Sequence, residues 1–230
     1  MGAIYLVRHG QASFGKADYD KLSAKGCRQS EILGKYFKQL VVPSQFYSGS
    51  LLRHEQTASH FVSGFGGSDL ATVTHSGFNE FNHVEILVRY RPEWKDYSVM
   101  AADIAKEAVP RKAFQRAFSD AVIRWISGNH DSEYQETWPQ FQSRCISALR
   151  AVIAQSADAK NIVIFTSGGP ISVIAQQILN LGDREALAVN EVLANTSVSK
   201  LLYSGDRLSI GYLNNYSHLE LAGHDWVTYR

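Results

Sequence analysis

Three short polar clusters in this 230-residue chain combine residue types suited to holding a phosphate. Arg8-His9-Gly10-Gln11 follows the first apolar run, Arg53 comes soon after Tyr47-Ser48, and Ser167-Gly168-Gly169 follows Thr166. A guanidinium presents a planar fork of N–H donors matched to phosphate oxygens, and two of them balance its negative charge. Small residues at the entrance of a helix leave backbone N–H groups open to an anion. The clusters therefore predict a phosphate pocket, with His9 in place for phosphoryl-transfer chemistry, if the fold brings them to one edge.

That condition requires each cluster to stand at the end of a strand. Ala3 to Val7 is an apolar run closed by polar residues and Gly10, as expected of a strand buried on both faces. After a loop through Phe14, Gly15 and Tyr19, Ser23 is placed to cap a helix in which Ile32, Leu33, Tyr36, Phe37 and Leu40 recur at helical spacing. Gln45 to Tyr47 reads as a second strand, and Ser50 as the cap of a helix carrying Arg53, Thr57, Ala58 and Phe61. Side chains tilt toward a helix N-terminus, so Arg53 in that first turn can reach back over the sheet edge. Ile162 to Thr166 is the clearest buried strand, followed by a helix with Pro170 in its first turn and Ile171, Ile174, Ala175, Ile178 and Leu179 along it. Val198 to Tyr203 and Leu208 to Leu213 read as the last two strands, joined by a turn at Gly205-Asp206.

This alternation predicts an α/β fold: a three-layer sandwich whose mostly parallel central sheet is flanked by helices, with the ligand beyond the strand C-termini. From about Val84 to Thr137 the alternation is replaced by aromatic and charged residues, which we read as a helical insertion over the site within one domain spanning residues 1–230. Ala113, Phe114, Ala117, Phe118, Ala121, Val122 and Trp125 make one amphipathic stripe, and Phe141, Cys145, Leu149, Val152 and Ile153 the next. Both are read as core-facing stripes.

Lys and Arg number 23 against 22 Asp and Glu, a net charge of +1, so no global field favours nucleic acid or an anionic membrane. No apolar stretch is long enough to span a bilayer, and the run before Arg8 is too short for a signal-peptide core. Cys27 and Cys145 lie far apart without metal-ligand spacing, which fits free thiols and a cytoplasmic location. The eight histidines show no close ligand spacing, so neither metal nor other cofactor is expected.

Taken in order, these motifs resemble the histidine phosphatase, or phosphoglycerate-mutase-like, superfamily. The resemblance rests on the strand ending in Arg8-His9-Gly10-Gln11, on Ser48-Gly49-Ser50-Leu51-Leu52-Arg53-His54-Glu55-Gln56-Thr57-Ala58, and on Asn79-Glu80-Phe81. It resumes from Thr137-Trp138 to Cys145, from Val163 to Ile171, and from Val198 onward. It implies that His9 receives the phosphoryl group, that Arg8 and Arg53 clamp its oxygens, that Gln11, Ser167 and Gly168 line the binding site, and that Glu80 is the proton donor. An imidazole must be neutral to attack, and two nearby cations disfavour its protonated form. Glu85, in the same segment, is the competing acid.

At two positions the chain departs from the pattern of that family. Ser167, in Thr166-Ser167-Gly168-Gly169, stands where most members carry a second histidine in an S-H-G-G run. A hydroxyl brings one donor, no charge and a shorter reach, and loss of a preorganised donor costs on the order of 10² to 10³ in rate. Gly15 stands where many members carry an asparagine, for which Gln11 or Ser13 is the available substitute. His218, His83 and His224 are the available sources of the absent imidazole, with a structural role favoured for each. The implied function is hydrolysis of a small soluble phosphomonoester. A phosphoglycerate-type mutase and a weakly catalytic phosphate-binding or regulatory protein are the alternatives, and substrate identity and oligomeric state are left open.

Overall fold

The run after Gly2 forms β1 (Gly2–Arg8), buried from Gly2 through Val7. A strand apolar on both faces needs cover on both, and the computed structural model, which describes residues 2–13, 20–156 and 159–229, places it inside the sheet. β2 (Gln45–Ser48), β3 (Thr72–Thr74), β4 (Asn161–Thr166), β5 (Val198–Ser204) and β6 (Arg207–Asn215) complete six strands in the order β3-β2-β4-β1-β5-β6. The pairings from β3 through β1 are parallel, while β5 runs antiparallel to both β1 and β6. The sheet is therefore mixed and mostly parallel, with β5 the reversed strand.

Two-residue periodicity divides the core into two layers. Ala3, Tyr5 and Val7 pack with Leu33 and Phe37 of α1 (Ala24–Phe37), Ala58 and Phe61 of α2 (Leu52–Phe65), and Phe46, Val163 and Phe165. Ile4 and Leu6 face the other way, among Ile162, Ile164, Leu149 and Val152 of the long helix Trp138–Gln155, and Ile171 and Ile174 of the helix Gly168–Leu179. Helices thus cover both faces, as the alternation predicted.

The chain divides into two compact units, Met1–Glu80 with Arg144–Arg230, and Phe81–Ser143. The second contains α3 (His83–Tyr90), α4 (Tyr97–Ala105), α5 (Pro110–Ile126) and the start of α6 (Trp138–Gln155). Its aromatic stripes form its core: Phe81 and Trp125 stand 5.1 Å apart, Trp125 and Trp138 5.2 Å, and Phe81 and Phe141 5.6 Å. These residues bury their rings in that core, and Trp125 is 1% exposed. After α7 (Gly168–Leu179), the first unit adds α8 (Asp183–Val192) and α9 (Ser217–Ala222). Among the described residues, no helix is long and apolar enough to cross a membrane.

The Ser23 cap forms as anticipated, its Oγ accepting the Gly26 N–H at 3.0 Å. Ser50 does not cap α2. Leu51 takes that position without a side-chain bond, and Asp20 Oδ2 accepts the Leu52 N–H at 2.8 Å instead. Ser50 is one residue too early and is held by Asn79, which accepts its N–H at 2.7 Å and donates to its hydroxyl at 2.8 Å. The short strand β3 and helices α8 and α9 were not anticipated.

Candidate active site

Strand register gathers the three clusters. Arg8 and Thr166 are partners across β1 and β4, and the His9 N–H donates to the Thr166 carbonyl at 2.8 Å. The two chains leave the sheet level with each other, so His9 and Ser167 emerge side by side. β2 ends at the same height, where the Gly49 N–H donates to Phe165 at 2.9 Å.

His9 is 8% exposed, and its Nδ1 lies 2.7 Å from the Gly10 carbonyl. A carbonyl can only accept, so Nδ1 carries the proton and Nε2 keeps its lone pair. Burial pushes the ring well below the usual imidazole range, helped by Arg53, Arg8 and His54 and opposed by the Gly10 carbonyl. His9 is therefore a neutral ring with a bare Nε2. Its carbonyl accepts from Thr196 N at 3.3 Å and Asn195 Nδ2 at 3.2 Å. The Gly10 N–H donates to Thr57 Oγ1 at 3.1 Å, and that hydroxyl donates to the Arg53 carbonyl at 2.6 Å.

Arg53 occupies the first turn of α2, 6% exposed, with Nη1 2.5 Å from Asp20 Oδ1. Arg8 donates from Nη1 to the Leu193 carbonyl, and its Nε lies 3.8 Å from where a Gly168 β-carbon would stand. Arg8 and Arg53 both act electrostatically on His9, as the first cluster required.

Glu80 follows the 3₁₀ turn Ser76–Phe78, and its Oε2 accepts the Gly169 N–H at 3.2 Å, at the start of α7. Arg144 Nη1 donates to the carbonyls of Ser76, Gly77 and Asn79 at 3.0–3.2 Å, and Thr166 Oγ1 donates to Phe78 O at 2.6 Å. These ties hold the Glu80 segment against the sheet edge. Glu85 lies in the second unit, where Oε1 accepts from Gln135 N at 2.9 Å and faces Arg89 Nε at 3.7 Å.

The remaining candidates divide. Gln11 Oε1 accepts the Ser23 hydroxyl at 2.9 Å, which ties this amide oxygen to the start of α1. Ser167 is fully buried and makes no cap bond to its helix; its Oγ lies 2.6 Å from His54 Nε2. Gly168 lies directly against Asn190, whose Oδ1 would stand 2.1 Å from a β-carbon there. His218 Nε2 meets Thr196 Oγ1 at 3.0 Å, and burial takes the ring down to about 3. Thr196 is a β-branched residue at φ 56°, a left-handed conformation that costs roughly 1–2 kcal/mol and is held here by the bonds to His9 and His218. His83 begins α3 in the second unit, and His224 lies in the turn His224–Trp226. Ser13 pairs through its N–H with Lys21 O, whereas Gly15 falls outside the described residues. Among the described residues, no cluster of His, Cys, Asp or Glu could hold a metal ion.

Sequence reasoning missed Asp20, Thr57, Asn195 and His54. For His54 a signal existed: an imidazole immediately after Arg53, in a chain with a hydroxyl at 167.

These features define an α/β protein that gathers a neutral imidazole and two guanidiniums at the C-terminal edge of a mostly parallel sheet. The family model of the histidine phosphatase superfamily (branch 1) matches residues 4–98 and 85–216, and the chain belongs to that superfamily. No curated protein sequence matches it. Among solved structures it is similar to YhfR of Bacillus stearothermophilus, with 17% identity and a TM-score of 0.69 over 95% of this chain and 99% of that one. A phosphoglycerate mutase from Bacillus anthracis str. Sterne gives 16% identity and 0.64 over 94% of each chain. Phosphoserine phosphatase from Entamoeba histolytica, in complex with 3-phosphoglyceric acid, gives 15% identity and 0.64 over 95% and 100%. At these identities the likeness is one of fold.

Proposed function

We propose that this protein is a phosphatase that hydrolyses a small phosphomonoester through a phosphohistidine on His9. The observation that carries the reading is the His9 ring itself, neutral, with Nδ1–H committed to the Gly10 carbonyl, Nε2 unprotonated, and both Arg53 and Arg8 acting on it electrostatically. Arg8 and Arg53 bind the non-bridging oxygens. Nε2 forms a bond to phosphorus as the ester oxygen leaves, and Glu80 gives that oxygen its proton. The Glu80 carboxylate then takes a proton from water, whose oxygen attacks phosphorus and returns His9 as inorganic phosphate departs. The position of Glu80 against Gly169 favours it over Glu85 for this role.

The small-substrate part of the proposal draws on similar structures described with phosphoserine and 3-phosphoglyceric acid. The purified chain should turn over members of a phosphomonoester panel that includes phosphoserine and 3-phosphoglycerate, and should form an acid-labile, alkali-stable phosphoenzyme. His9→Ala should abolish that adduct and lower kcat/KM by about 10³-fold or more. Absence of both turnover and adduct in the unaltered protein would refute the proposal, and isomerisation dependent on 2,3-bisphosphoglycerate would replace it with a mutase.

A further inference from the structure

We propose that His54 is a positioning residue for phosphoryl transfer: its Nε2–H donates to Ser167 Oγ and turns the serine's single proton toward a phosphoryl oxygen held at His9. This rests on the phosphatase reading and adds an imidazole to it that reaches the site from α2.

Both partners are fully buried, and the 2.6 Å contact between them is short for a neutral pair. The tautomer follows from the other ring nitrogen. His54 Nδ1 has no hydrogen-bond partner among the described residues, and it points at Gly49, where a β-carbon would lie 2.2 Å away. A buried acceptor without a donor is tolerated better than a buried N–H without an acceptor, so the proton belongs on Nε2. Ser167 Oγ then accepts from the ring, and its own proton must be directed elsewhere.

Geometry supplies that direction. Arg8 and Thr166 are in register, which sets His9 and Ser167 next to each other, and the His9 and His54 rings stand 5.8 Å apart. A hydroxyl that accepts one hydrogen bond becomes a stronger donor in the next, so the ring polarises the serine without charging it. Burial, with Arg53 adding to it, keeps His54 neutral, as this arrangement requires. Burying an imidazole and a hydroxyl that satisfy chiefly each other is costly compared with an apolar pair. The absence of a side chain at Gly49 leaves the space the ring needs, so one further position in the sequence is committed to the contact.

The test compares His54→Phe, which fills the space without a donor, with His54→Gln, whose amide N–H can reach toward Ser167. His54→Phe and Ser167→Ala should each lower kcat by about 10- to 100-fold with KM within about 3-fold, and the double variant should be no worse than either. His54→Gln should recover most of kcat. Unaltered kcat in His54→Phe, additive losses in the double variant, or His54→Gln no better than His54→Phe would overturn the inference. If His54→Phe fails to fold, Ser167→Ala and His54→Gln with Ser167→Ala carry the same comparison: kcat must fall in the first and fall no further in the second.

Failure of the phosphatase reading would appear as a lack of turnover in the unaltered protein, and the pair would then be read from binding. His54→Phe should weaken orthovanadate, which copies the trigonal transition state, by about 10-fold while leaving inorganic phosphate within about 3-fold. Equal changes in both ligands, or no orthovanadate binding to the unaltered protein, would count against it.

Discussion

Asp20 joins two jobs on one carboxylate: Oδ1 meets Arg53 at 2.5 Å, and Oδ2 caps α2 through the Leu52 N–H at 2.8 Å. The Arg53 side chain is 7% exposed and that of Asp20 37%, so the pair is screened by water mainly on the carboxylate side. A nearly buried guanidinium without a counter-charge is unfavourable, and an incoming phosphate would provide one. In the proposed phosphate site, Asp20 would compete with the bound anion for Arg53. Replacing Asp20 with Asn should tighten inorganic phosphate by about 3- to 10-fold, read by calorimetry, and lower stability by about 1 kcal/mol through the weakened cap and lost pair. Phosphate affinity that is unchanged or weaker would show that Asp20 does not compete. Arg8, His9 and Arg53 were legible in the sequence because each stands at a strand end or in a first helical turn. Asp20 and His54 were not, because their importance comes from partners 33 and 113 positions away, at Arg53 and Ser167.

At the level of elements, a tight fit joins the start of α1 to the chain leaving β1. A β-carbon on Gly26 would lie 2.1 Å from the Gln11 carbonyl oxygen, and one on Gly10 would lie 2.4 Å from that of Gly26. Helix propensity alone favours Gly26→Ala by about 1 kcal/mol. The collision is with backbone, which cannot rotate away, and overpacking of this kind costs about 1–3 kcal/mol. Packing should win, so Gly26→Ala should lower the urea midpoint and, by shifting Gln11 beside His9, reduce turnover as well. A raised midpoint would mean that the close approach relaxes freely. Ser23 was readable as the cap of α1 because the apolar period begins directly behind it, whereas the role given to Ser50 failed because a distant carboxylate supplies that cap. β3 has three exposed residues and α8 buries only Ala186, so neither leaves a periodic pattern to detect.

For the molecule as a whole, the alternation of buried strands and amphipathic helices made the mostly parallel sheet legible, since β1 and β4 have no solvent face to confuse their pattern. The polar interior was less legible, and it governs the response to acid. His9 and His54 are held well below the ordinary value of 6.5, first by burial, and His218 is lowered by burial to about 3. In the unfolded chain these rings take up protons near pH 6.5, while in the folded chain they stay neutral. Proton uptake on unfolding means that stability is fully present above about pH 6.5 and falls as the pH drops below it. Each ring contributes at most about 1.4 kcal/mol per pH unit, so the three together should remove roughly 3–4 kcal/mol between pH 7 and 5.5. His218→Gln leaves the proposed catalytic groups in place and should remove one of the three protons, lowering the slope of stability with pH by about one third. Urea unfolding at a series of pH values gives that slope directly: a flat profile from pH 7 to 5.5 would mean that the buried rings titrate as freely in the folded chain as in the unfolded one, and an unaltered slope in His218→Gln would remove His218 from the set.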